Sequence, residues 1–213
     1  MPKHSEFRTL NSEFPLILAS ASPRRAALLR EAGFDFQVIV SPVREPHQRP
    51  RDVPIEIWPC VLAHIKAAAV QKHLRDKNAI ILGADTIVLL DNRILNKPRD
   101  RAHARHMLSR LFGRQHQVIT GICLLRGDTL RLSRAVSTCF VRRPSKSWLD
   151  SYLDSNLWKG KAGAYGIQDS DQLVQLRSGE FSNVMGLPLQ LLTSELASLY
   201  NRDRQGAPIS SPH

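Results

Sequence analysis

"AIILGADTIVLL", residues 79–90, decides the fold of this 213-residue chain. The run is apolar almost without interruption and rich in isoleucine, valine and leucine. Continuous apolar character over this length predicts a strand buried on both faces, at the centre of a sheet. Asp85 breaks the pattern. A carboxylate isolated in an apolar interior either takes a proton or finds a partner. One reading is a carboxylate that caps neighbouring backbone at a strand end. The other is a carboxylate held in a cleft to bind a metal or accept a proton from water. Thr86 beside it points to the opposite face or lines the same cleft edge.

Other elements arrange themselves around that strand. "LILAS" (16–20) is a short buried strand that feeds a helix. Ser22 suits its N-cap, Pro23 its first position and Gly33 the position after its end. "FDFQVIV" (34–40) alternates and predicts a second strand. "SPVREPHQRPRDVP" (41–54) is too rich in proline for regular structure. A helix is expected from about Pro59 to His73, with Leu62, Ile65 and Ala69 among its apolar positions. "DNR" (91–93) turns the chain, and a helix with Asp100 as N-cap ends near Gly113. Two neighbouring strands flank "RGD" (126–128). A helix over "SKSWLDSYLDS", a strand at "QLVQLR" and a closing helix at "LPLQLLTSELASLY" complete the order. Strands and helices mixed in this way predict an α/β fold around one sheet.

The size suits a single α/β domain or at most two small lobes. Hydrophobic residues make up 42% of the chain, and no run reaches the roughly 20 residues of a membrane helix. The first residues lack the apolar centre of a signal peptide, so the cytoplasm is the expected location. Residues 1–15 are expected to form a flexible extension, 16–200 one domain, and 201–213 a disordered tail. The three cysteines, Cys60, Cys123 and Cys139, have no metal or redox spacing and predict buried reduced thiols. Net charge is +11, and residues 93–146 hold 13 Lys and Arg against 2 Asp, the whole excess. Such a segment serves as a solvated face, a nucleic-acid stripe or a field that draws in a small polyanion.

Several further side chains are candidates for chemistry. Arg24 and Arg25 occupy a first helical turn, where the helix dipole disfavours cations. An anion docked at that helix end would reverse the sign of the effect. Lys66 sits on or beside an apolar helical stripe, where it either snorkels or serves the site. Lys97 follows a turn, and Glu45 lies in the irregular segment; both also read as surface residues. "KAGAYGIQ" (161–168) suits close approach of backbone to a ligand or a tight turn. No phosphate loop, dinucleotide turn, nucleophile elbow or H-E-x-x-H pair is present. Aromatic residues are only 6%, without an RNA-binding signature.

"LILASASPRR", Glu45, "LAHIKA", "GADTIV", "ILNKPRD", "KAGAYGIQ" and "NVMGLPL" occur in one order from Leu16 to Leu191. In that order and spacing the chain resembles the Maf family of nucleoside triphosphate pyrophosphatases. The resemblance implies a long, curved mixed sheet with flanking helices and a deep cleft between two lobes, as in inosine triphosphate pyrophosphatases. It implies hydrolysis of a nucleoside triphosphate to the monophosphate and pyrophosphate with a divalent metal (magnesium, manganese or cobalt). Asp85 would be the catalytic carboxylate, Ser20, Arg25, Lys66 and Lys97 would hold phosphates, and Glu45 with Asp85 would face the metal. Arg24, Thr86 and Gln168 match the branch resembling dTTP/UTP pyrophosphatases; a 7-methyl-GTP branch tends to carry Trp, Gln and Glu there. A homodimer is also implied, with no membrane partner and no nucleic acid expected. The alternative is a nucleic-acid-binding or septum-formation regulator on the same fold. Three departures stand out. Pro42 and Arg44 replace acidic residues common near Glu45. Gly160 stands where Asp is frequent, and Asp169 where Gly is common.

Overall fold

The run at 79–90 forms a strand with three neighbours, near the middle of a mixed seven-stranded sheet. The computed structural model describes residues 14–46, 48–170 and 173–204. In chain order the elements are β1 (Leu16–Leu18), α1 (Pro23–Glu31), β2 (Gln37–Val38), α2 (Trp58–Gln71), β3 (Ile80–Leu90), β4 (Arg93–Leu95), α3 (Arg101–Leu111), β5 (Arg114–Arg126), β6 (Thr129–Val141), α4 (Lys146–Asp154), β7 (Val174–Ser178), α5 (Phe181–Met185) and α6 (Leu189–Arg204). Two 3₁₀ turns, Ala162–Ala164 and Ile167–Asp169, lie between α4 and β7. Strand order is β2-β1-β3-β5-β6-β7, with β4 added to β3.

The two edges of β3 differ, and the difference makes the cleft. Against β5 it pairs without a break from Ile81 to Leu89. Its other edge is shared. Parallel β1 covers Ile80 to Leu82, and β4 covers Val88 to Leu90 through a hairpin. Asp91 and Asn92 turn that hairpin with φ of 49° and 58°, the left-handed values a two-residue turn requires. Between the two neighbours, Gly83 to Ile87 has no strand partner on this edge among the described residues. Asp85 and Thr86 sit in that gap.

Alternation sorts the side chains of β3 into four apolar groups. Ile80, Leu82 and Ala84 pack with α1 and α6 on one face, and Val88 and Leu90 pack with α3 and α4 further along it. Thr86 is the interruption between these two clusters. On the opposite face Ile81 packs under Ala63 and Ala67 of α2, and Ile87 and Leu89 form a small group with Ile119. Gly83 and Asp85 stand between them on that face.

Helix α2 lies on the sheet at backbone contact. A Cβ added to Gly83 would stand 2.1 Å from the Ala63 carbonyl oxygen. One added to Gly121, the register partner of Asp85, would stand 2.3 Å from the Cys60 amide nitrogen. The buried face of α2 is accordingly Leu62, Ala63, Lys66, Ala67 and Val70. This corrects the expected stripe, since Ile65 and Ala69 are only half-buried. The stripe is set by what fits over two glycines, not by the largest apolar residues.

Other expectations need correction. The strand expected over 34–40 shrinks to Gln37–Val38, because β1 offers only three residues as a template and Phe34 and Phe36 turn into the α1/α6 cluster. Ser22 is the N-cap of α1 but makes no capping bond with its side chain. Residues 1–13 and 205–213 lie outside the described residues. At the inner end of the expected extension, Phe14 stacks on Tyr200 and Pro15 accepts a hydrogen bond from Ile80 N at 2.9 Å. At the other terminus α6 continues to Arg204, into the stretch read as a tail. All three cysteines are unbridged and buried, as expected.

Alanine at Gly121 would press its methyl into the α2 backbone, and overpacking of this kind costs about 1–3 kcal/mol. Gly121→Ala is therefore expected to lower the urea midpoint by a corresponding amount; an unchanged midpoint would show that α2 is not held there.

Candidate active site

One cavity of about 460 Å³ opens at the gap in the β3 edge. All nine side chains singled out from the sequence line it: Ser20, Arg24, Arg25, Glu45, Lys66, Asp85, Thr86, Lys97 and Gln168. They come from α1, α2, β3, three loops and the second 3₁₀ turn. Where strand neighbours are missing, side chains from both faces of β3 reach the same space. Asp85 points toward α2 and Thr86 toward α1.

Lys66 is the centre of the acidic side. Its Nζ lies 2.5 Å from Asp85 Oδ1 and 2.8 Å from Glu45 Oε1. The Lys66 and Asp85 side chains are only 11% and 12% exposed, whereas Glu45 is 44% exposed. An ion pair so withdrawn from water persists because each charge has its partner; removing one leaves the other uncompensated. For Glu45, burial works to raise the carboxyl. The Lys66 hydrogen bond and charge, with help from Lys97 and Arg25, outweigh it and hold the group below its ordinary value. Glu45 was expected to stand alone beside Arg44; instead it shares the ammonium of Lys66.

Arg25 forms the opposite wall. Its Nε donates to the Gly186 carbonyl at 2.8 Å, Nη1 to Ser20 Oγ at 3.1 Å and Nη2 to Thr86 Oγ1 at 3.2 Å. Burial lowers its pKa, with Asp85 opposing and Arg24 adding to the effect. The guanidinium remains a cation with five N–H donors, so these three bonds leave donors for a ligand. The cation at the start of α1 is thus already held by protein acceptors. Ser20 is drawn into the same net, since its Oγ also accepts from Ser22 N at 3.2 Å. Thr86 Oγ1 lies 2.9 Å from Thr120 Oγ1, whose hydroxyl donates to the Asn183 carbonyl at 3.0 Å.

The third wall is the pair of 3₁₀ turns. Lys161 is buried and pairs with Asp169, and Gln168 Nε2 donates to the same carboxylate at 3.0 Å. Behind them the OH of Tyr165, another cavity residue, lies 2.5 Å from His116 Nε2. Burial pushes that imidazole down to about 4.

Sequence reasoning missed Gly83, Gly121, Gly186, Lys159 and the Lys161–Asp169 pair. An isolated glycine in a strand, as in "VITGICLL", is the signal for close backbone approach. The charge reading needs revision as well. Among the described residues, Lys97 is the one basic side chain of segment 93–146 that lines the cavity. Arg101 and Arg105 pair with acids of α4, Arg114 with Asp91 and Arg131 with Glu195. The cavity's cations come mainly from α1, α2 and the 159–161 loop.

Among the described residues no cluster of three or more His, Cys, Asp or Glu stands ready for a metal, and no helix is long and apolar enough to cross a membrane. The model of the family described as Maf-like protein matches residues 15–199. The chain belongs to the Maf family. A dTTP/UTP pyrophosphatase of Symbiobacterium thermophilum is 45% identical over 84% of this chain and 92% of that protein. One from Cytophaga hutchinsonii is 35% identical over 92% of this chain and 89% of that protein. A solved Mycobacterium abscessus nucleoside-triphosphatase, a dITP/XTP pyrophosphatase, covers 87% of this Maf chain and 96% of its own. At 14% identity and a TM-score of 0.42 that likeness carries no argument.

The Glu45 shift has a pH consequence. Its lowered value stabilises the fold at neutral pH, and this contribution is lost as pH falls from the ordinary carboxylate value through the lowered one. Lys66→Met is expected to move the Glu45 carboxyl titration upward, read by its carbon-13 shift. A titration that stays in place would show that Lys66 does not hold it.

Proposed function

We propose that this chain hydrolyses dTTP and UTP to the monophosphate and pyrophosphate, with residues 16–200 as the catalytic unit. The reading rests on one observation, a carboxylate paired with a buried lysine facing a cationic cavity, in a chain of this family. Among the described residues, six cationic side chains and two acidic ones line that cavity. Such a surplus suits a triphosphate, arginine by its planar fork and lysine as a point charge.

In the proposed reaction a water oxygen attacks the α-phosphorus. The bond from that phosphorus to the α–β bridging oxygen breaks, and its electron pair leaves with pyrophosphate. Asp85 accepts the water's proton. Lys66, which donates to Asp85 Oδ1, fixes the orientation of the carboxylate. Ser20, Arg25, Lys66 and Lys97 hold the phosphates and stabilise charge that grows on the leaving group.

The donor set fits a hard divalent cation such as magnesium, manganese or cobalt. Asp85 and Glu45 are oxygen donors that share the Lys66 ammonium, and the three together carry a net negative charge. Magnesium is commonly held by one or two carboxylates, with phosphate oxygens and water completing its shell. Bound there, the cation would neutralise phosphate charge.

Base selection falls to Arg24, Thr86 and Gln168. A uracil or thymine ring presents one N–H between two carbonyls, and a side-chain amide complements part of that edge. The hydroxyl of Thr86 already accepts from Arg25, so this residue acts on the substrate through the guanidinium.

Asp85→Asn keeps a hydrogen-bond partner for Lys66, whose charge Glu45 still compensates, and is expected to fold normally. Loss of a general base costs roughly 100-fold or more in turnover. Pyrophosphate release from dTTP and UTP, assayed with each of the three metals, reads the effect; near-normal release would sink the assignment. Arg24→Trp combined with Thr86→Gln and Gln168→Glu is expected to weaken pyrimidine use across a nucleotide panel. Unchanged selectivity would remove those three as readers.

A further inference from the structure

The structure gives the Asp169 carboxylate two partners. Lys161, buried at the cavity wall, pairs with Oδ2. Gln168 Nε2 donates to the same oxygen at 3.0 Å. A carboxylate paired with an ammonium has no hydrogen to give and only accepts. The end of the Gln168 amide that faces Asp169 must therefore be the NH₂, and the carbonyl oxygen is turned away from it.

Gly166 closes this cluster from above. A Cβ there would lie 2.5 Å from Asp169 Oδ2, 2.9 Å from Lys161 Nζ and 3.1 Å from Gln168 Nε2. The three polar groups thus meet over a bare backbone, with no room for a side chain. The backbone at Gly166 has φ −123° and ψ 132°, values open to any residue. The glycine is needed for space, not for its conformation.

We infer that Asp169 is a positioning residue: with Lys161 and Gly166 it locks the Gln168 amide with its NH₂ toward Asp169 and its carbonyl oxygen toward the base. The inference rests on the proposed role of Gln168 as a reader of the pyrimidine edge. A lone acceptor at that place matches the N3–H of uracil and thymine. Cytosine sets an N3 lone pair at the same place, and two acceptors face each other. An unlocked amide turns over and meets the lone pair with its NH₂. The lock converts a side chain able to satisfy either ring into one that satisfies only the ring with N3–H.

The decisive measurement is the ratio of kcat/KM for UTP to that for CTP. It compares wild type with Asp169→Asn, Asp169→Glu and Gly166→Ala. Asparagine offers both a donor and an acceptor, so the amide is freed. Glutamate keeps an acceptor-only group. Alanine at 166 pushes the carboxylate away by a separate route, against flexible side-chain ends. The expected result is a UTP/CTP ratio about tenfold lower in D169N and G166A, through better use of CTP, with D169E near wild type. A purely structural role would lower both substrates together and leave the ratio alone. An unchanged ratio in both D169N and G166A would overturn the inference.

A second readout needs no turnover. The two Gln168 side-chain amide protons should be well separated in the proton–nitrogen spectrum of the wild-type chain and collapse toward ordinary shifts in D169N. A wild-type separation no larger than that in D169N would overturn the lock. A wild-type chain that releases no pyrophosphate from any nucleotide would overturn the pyrophosphatase reading, and this spectrum would still decide the orientation of the amide.

Discussion

The site depends on how closely α2 can lie on the sheet. Gly83 and Gly121 remove two side chains from between helix and strands, and the helix backbone descends into the space. That descent brings Lys66 to 2.5 Å from Asp85. Without it, each charge would face an apolar interior or need solvent to reach it. Ion pairs withdrawn from water gain less than their Coulomb energy suggests, because both partners lose hydration. What such a pair secures here is placement. Asp85 is fixed from one side by the β5 ladder and from the other by a lysine that cannot move without the helix.

A second constraint is topological. β1 ends at Leu18 and β4 begins its pairing at Val88, and the strand between them is bare along one edge. The two apolar clusters on that face meet at Thr86, so the boundary between lobes and the floor of the cavity coincide. Arg25 crosses this boundary. It ties α1 to the Gly186 carbonyl at the end of α5 and to β3 through Thr86. The arginine that looked misplaced at a positive helix end is a clasp before it is a ligand for anything else.

Much of this was legible in the sequence. The unbroken run at 79–90 announced a doubly buried strand, and its single carboxylate marked the site. Strong local signals, such as Asp100 at a helix start or Gly33 past a helix end, read correctly because they depend on neighbours in sequence. Three things did not. The buried face of α2 was misjudged at Ile65 and Ala69, because the turn of the helix laid on Gly83 and Gly121 is fixed by strands distant in sequence. The strand expected at 34–40 was cut to two residues by the shortness of its neighbour. The basic segment 93–146 looked like one functional field, yet four of its arginines are taken by acids on α4, the β3–β4 turn and α6. Each miss concerns partners distant in sequence. The site residues were legible only as a set: Glu45 and Lys97 remain exposed and would each pass for ordinary surface.

The carboxylate and the amide that serve this cavity are mounted differently. Asp85 is part of a sheet and is held by backbone pairing along its whole strand. Gln168 sits on a 3₁₀ turn and is oriented by side chains alone. Substitutions in the turn leave the ladder untouched, whereas a change beside Asp85 disturbs helix, strand and ion pair together. Loops tolerate such change far better than the elements they join. With the roles proposed for Asp85 and Gln168, descendants of this fold can exchange one nucleobase for another through a few turn residues while inheriting the hydrolytic machinery whole.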